Sequence, residues 1–145
     1  MDNSIKIGKY FRIIAESSDE LMKIVPKEKI FALAAHENTT YPFIVYSRSA
    51  INTTYTKDLN GSFGHVDRVQ VTVDCHGNTY EESVEVANAL RNAIEGLGYK
   101  NKDLFIERFE LISANETTDG VGDWQQILVF QTIVRSRDKM IKEEL

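Results

Sequence analysis

The sequence predicts an α+β domain: an antiparallel sheet of about four to five strands, helices packed on one of its faces, and a β-hairpin arm projecting from the body. Three observations predict it. "HVDRVQVTVDC", residues 65–75, alternates strictly, with Val69, Val71, Val73 and Cys75 on one side and Arg68, Gln70, Thr72 and Asp74 on the other, as a strand with one packed face must. "NTYEESVEVANALRNAIEGLGY", residues 78–99, follows at once, with Val86, Leu90, Ala93, Ile94 and Leu97 at helical spacing. Residues 4–24 carry Ile5, Tyr10, Ile13, Ile14, Leu21 and Ile24 at spacings close to one helical face.

The elements follow in order. "ESSDE" interrupts the first helical pattern, and Ser18 followed by Asp19 and Glu20 has the form of a second helix start, so the N-terminal region reads as one broken helix or two short ones. "KIFALAA", 29–35, is a short strand, and "YPFIVYSRSA", 41–50, a stronger one rich in β-branched and aromatic residues. Pro26 and Pro42 stand at element boundaries. Residues 51–64 are polar and contain an Asn60-Gly61 turn signal. Joined to the alternating strand, they make a long hairpin whose tip, about residues 53–63, forms the arm.

Thr79 and Glu82 then form a capping box for the best helix. Gly96 and Gly98 stop it, and Glu81, Glu85, Arg91 and Glu95 mark its exposed face. Residues 104–114 are a strand, 115–123 a polar turn, and "WQQILVFQTIVR", 124–135, the last strand. Residues 1–3 and 136–145 are expected to fray. Arg68, Gln70, Thr72, Gln125 and Gln131 are expected together on the sheet's polar face.

Composition narrows the function classes. The 145 residues suit one domain, with 42% hydrophobic and 27% charged residues and a net charge of −5. That balance gives no global pull toward nucleic acid or anionic membrane. One cysteine makes no internal disulfide, and the absence of metal-ligand spacing speaks against a structural metal. No signal-peptide run and no apolar stretch of about 20 residues is present, so a reducing compartment is expected. The sequons at Asn38, Asn52, Asn60 and Asn115 are then read only as polar loops.

Asp74-Cys75-His76 is the one stretch that resembles a reactive site. On an extended strand Cys75 shares its side with three valines, while Asp74 and His76 point the other way. Cys75 and His76 cannot make the contact that a nucleophile and its base require. Cys75 is therefore expected to be a core residue, and His76 a surface one. His36, His65 and His76 have no ligand spacing. "GVGD", 120–123, precedes a strand, which reverses the order of a dinucleotide loop. Tyr41, Phe43, Tyr46, Tyr55 and Phe63 are a candidate base-stacking set, but few basic residues lie near them. Phe43 and Tyr46 suit packing, whereas Tyr55 and Phe63, on a polar arm, suit a protein contact.

"YPFIVYSR", the polar arm with "TKDLNG", and "VQVTVDCHGNTYEESVEVANALRNAIEG" together resemble the tail-completion family of tailed bacteriophages, the tail terminator or head-to-tail joining proteins of long-tailed phages and prophages. Pro42, Phe43, Val45 and Tyr46 carry the first part of the resemblance, and Thr79, Tyr80, Glu81 and Glu82 the second; it spans about residues 5–135. "KIFALAAHENTTYPF" and the "NGSFGH" arm depart from the family pattern. The resemblance implies a non-enzymatic virion assembly protein without cofactor. It would form a ring of copies, commonly a hexamer, that caps the tail tube, ends its polymerisation and meets the head connector. Partners would be itself, the tail tube protein and the connector, with DNA only passing through a pore whose acidic lining lets it slide. Its place would be the virion's tail–head junction, after assembly in the bacterial cytoplasm. A head-closure or minor tail component is the nearest alternative; a small thiol or histidine hydrolase and a nucleic-acid-binding accessory domain are more distant ones. The interface candidates on arm and edges are Tyr55, Lys57, Asp58, Asn60, Phe63, Arg68, Gln70, Asp119 and Trp124.

Overall fold

The alternating strand lies at the centre of the molecule. In the computed structural model, which describes residues 2–57 and 63–136, it is β3 (Phe63–Gly77), paired antiparallel on one side with β2 (Phe43–Lys57) and on the other with β7 (Trp124–Ser136). Beyond β2 lies β1 (Ile30–Ala32), which is parallel to it. The far side of β7 is shared end to end. β6 (Glu110–Thr118) takes its first part, and β5 (Leu104–Ile106), with β4 (Tyr99–Lys100) outside it, takes its last.

The sheet thus has seven strands among the described residues, more than the four to five expected, and it is mixed. The expected strand 104–114 is two strands, and the expected turn 115–123 begins as the second half of β6. The tip of the expected arm, 58–62, lies outside the described residues.

One face of the sheet carries the core. Val69, Val71, Val73 and Cys75 are all buried there, with Ile44 and Tyr46 from β2 and Leu128, Phe130 and Val134 from β7. Two helices close it. α1 (Ile7–Glu16) brings Ile7, Tyr10, Phe11, Ile14 and Ala15, and α3 (Tyr80–Ile94) brings Val86, Ala89, Leu90, Ala93 and Ile94. The buried stripe of α1 is rotated from the expected one, since Ile5 and Ile13 are exposed. α2 (Asp19–Ile24) is the expected second helix, and Ser18 caps it by accepting from the Leu21 N–H at 3.2 Å.

The strand-to-helix junction is tight. Thr79 Oγ1 accepts from the Glu82 N–H at 3.1 Å, while Glu82 returns its carboxylate to the Asn78 N–H at 2.8 Å, one residue earlier than in the standard capping box. Gly77 is needed there, because a Cβ would come 2.4 Å from the Ser83 backbone nitrogen. Gly96, at φ +83°, ends the helix region and donates its N–H to the Phe109 carbonyl. Leu97, expected on the helix's apolar stripe, lies past this stop and is exposed.

Candidate interaction surface

Among the described residues, the opposite face of the sheet carries no helix. Register places Phe43, His76, Gln125 and Thr117 in one row, Val45, Asp74, Ile127 and Asn115 in the next, then Ser47, Thr72, Val129 and Ser113. The expected polar set falls here: Arg68, Gln70, Thr72, Gln125 and Gln131 share this face, and the Gln70 side-chain amide donates to Gln131 at 3.4 Å. Mid-face, burial among Val45 and Ile127 pushes the Asp74 carboxyl above its ordinary range, opposed by the His76 charge.

His76 is not the surface residue expected. Its ring stacks on Phe43 at 4.3 Å between centroids, and Nδ1 lies 2.9 Å from an Asp123 carboxylate oxygen. Asp123 belongs to the turn after β6. Asp119 organises that turn by accepting from the N–H groups of Val121, Gly122 and Asp123, which hold its carboxyl below its ordinary range. Cys75 faces the core, fully buried, and burial drives its thiol far up. Asp74, Cys75 and His76 therefore form no catalytic constellation. No group of three or more His, Cys, Asp or Glu among the described residues is arranged to hold a metal ion.

The sequence-derived interface candidates scatter. Tyr55 is 81% exposed on β2, and Lys57 and Phe63 are Cα partners at the last described pair of the hairpin. Asp58 and Asn60 lie outside the described residues. Arg68 and Gln70 sit together on the helix-free face, while Asp119 and Trp124 stand at the far end, around β6. There Trp124 meets Tyr80 edge-on at 6.1 Å, and these two, with Glu116, Thr117, Thr118 and Gln126, line an open groove of about 230 Å³. The Tyr80 hydroxyl donates to Glu116 at 3.0 Å, which pushes the phenol's pKa up.

Sequence reasoning named the sheet's edges as contact surfaces but did not place them on β6 or on β2. β6 is exposed along its length except at Leu111, and no described strand pairs with its outer side. β2 is covered by β1 only from Ile44 to Tyr46.

The comparisons with known proteins agree with this architecture. The family model described as tail completion protein gp17 matches residues 14–135. The fold is similar to a chain in the virion of the native gene transfer agent (GTA) particle, at 12% identity, with 87% of this chain and 92% of that chain covered and a TM-score of 0.61. It is also similar to the gp17 protein of bacteriophage SPP1, at 17% identity, with 94% and 91% covered and a TM-score of 0.51. At these identities the two likenesses establish the fold. No curated protein matches the chain by sequence.

Proposed function

The chain belongs to the tail completion protein gp17 family, and on that premise we propose that it acts as a ring of copies that caps the finished tail tube, ends the tube's polymerisation and joins the tail to the head connector. The observation that carries the ring is the pair of long open edges on one sheet. A closed ring needs two different surfaces that rotation brings together, and a sheet open on both sides has them. The β2–β3 hairpin supports the contact with other proteins. Its described pairing runs on to Lys57 and Phe63, past the last described β3–β7 pair at Val66, which supports reading the hairpin as an arm. Tyr55, Lys57, Asp58, Asn60 and Phe63 would meet the tube protein or the connector there. In this reading the protein acts as a structural component without catalysis, and its single thiol, sealed in the core, takes no part.

Electron microscopy of particles made without the protein tests this reading. Over-long tails, or tails without heads, are the expected outcome. Normal virions overturn it, and normal tails beside heads that lose their DNA would move the protein to head closure.

A further inference from the structure

We propose that the ring closes by strand addition: residues 113–118 of β6 in one copy pair antiparallel with residues 50–54 of β2 in the next. The inference rests on the ring reading above and names the surfaces that make it.

Guarding separates these edges from the others. β1 is three residues long and β4 two, and β4 ends at Lys100 with Lys102 just beyond. Short length and lysine are how sheets normally blunt an edge. Residues 50–54 read Ala-Ile-Asn-Thr-Thr, without charge, proline or glycine. Residues 113–118 read Ser-Ala-Asn-Glu-Thr-Thr, and the one charge, Glu116, is held by the Tyr80 hydroxyl and the Gln126 side-chain amide, each at 3.0 Å. Each stretch keeps an unbroken register and starts just after a bulge, between Arg48 and Ala50 in β2 and between Leu111 and Ser113 in β6. Both are rich in threonine, which pairs well across strands. An unguarded, regular edge is a template for another strand.

Direction selects the partner. β2–β3, β3–β7 and β7–β6 are all antiparallel, so β6 runs opposite to β2 in the same copy. Rotation about an axis near the strand direction leaves that direction unchanged. The β6 of one copy therefore meets the β2 of the next antiparallel, and the alternation continues unbroken around the ring. A second copy of this chain supplies a fitting strand for both edges at once.

Stagger fits as well. Residues 113–117 lie level, through β7 and β3, with Phe43–Ser47 of β2, and β1 already covers Ile44 to Tyr46 there. A neighbour's β6 must then sit further along β2, where residues 50–54 are open. Such an offset inclines the strands to the ring axis, as every closed barrel requires.

Thr54 and Ser113 are exposed on the helix-free face, and the native Cys75 is buried, so added cysteines report contact. The test uses the full chain carrying Thr54→Cys and Ser113→Cys, in assembled tails and as purified protein, oxidised and run on a non-reducing gel. A ladder of multimers is expected from the double variant or from a neighbour in the register series Asn52, Thr54 against Ser113, Asn115, Thr117. Each single variant should stay monomeric. Dimers from Thr54→Cys alone or from Ser113→Cys alone would mean like-with-like edge pairing and overturn the proposal. No cross-link in the series, with rings still visible on the tubes, also overturns it and leaves the ring standing. Tails that carry the protein but no ring overturn both readings.

Discussion

On the face of the sheet turned to α1 and α3, Val69, Val71, Val73 and Cys75 are at most 1% exposed. On the other face of the same strand Gln70, Thr72, Asp74 and His76 keep partial access to solvent. Successive residues of one strand thus meet opposite environments. The first face is mainly apolar, with Asp67 and Thr132 the buried polar residues of its strands, and it is filled by aromatic rings from α1, β2 and β7. The second mixes glutamine and threonine with valine and isoleucine, and it ends in edges that no described strand covers along their full length. The difference separates what holds the molecule together from what it leaves open to others, and each prediction below tests that separation.

The largest effect should come from the packed face. Phe11 is fully buried, with its ring 5.3 Å from Tyr46, 5.9 Å from Phe109 and 6.4 Å from Phe130. Phe11→Ala removes the ring that joins α1 to β2 and β7, the two strands flanking β3, and should cost about 3–5 kcal/mol in denaturant unfolding. A loss below about 1 kcal/mol would mean that α1 is not part of the core.

Cys75 comes next. Cys75→Ser buries a hydroxyl among valines and should destabilise by about 1–3 kcal/mol. The native thiol should stay unlabelled by a thiol reagent until the protein unfolds. Rapid labelling of the folded protein would return Cys75 to the reactive residues.

Much of the packed face is legible in the sequence because its signals are local. Strict alternation at 65–75 gives β3 and its two faces, and Ser18 and Thr79 each act within three residues of their own position. The stripe of α1 is less legible, since Ile5 and Ile13 share the helical period and only contact with Phe109 and Phe130 chooses Phe11 over them. His76 reads as surface because Phe43 and Asp123, which cover it, are remote in sequence. Which strands form the open edges is not legible. An edge strand exposed on both faces has no reason to alternate, so residues 115–118 read as a turn, and whether a strand lies at an edge depends on topology alone.

Thr79 lies at the boundary between the two faces, where β3 hands over to the helix that seals the core. Thr79→Ala removes the acceptor of the Glu82 N–H and should cost about 1 kcal/mol in denaturant unfolding. Thr79→Ser should restore most of it; if serine does not, the threonine contributes packing and not a cap.

The smallest effect belongs to the open face and depends on pH. Asp74 takes no hydrogen bond from any described residue, and burial raises its carboxyl pKa above the ordinary 3.8, with only His76 acting the other way. A raised pKa means that the folded chain keeps this proton at pH values where the unfolded chain has released it. Asp74's contribution to stability is therefore complete below 3.8 and falls as pH rises through the folded-state value. Asp74→Asn cannot ionise and escapes that fall. Parent and variant should be closest in stability in acid, and at neutral pH the variant should be more stable, by less than about 1 kcal/mol because water still reaches this face. Urea unfolding of both proteins across that range decides it. A difference that does not change with pH would mean that the Asp74 carboxylate is as well hydrated as any on the surface. The helix-free face would then be ordinary wet surface, and the contrast between the two faces would reduce to the presence of helices on one of them.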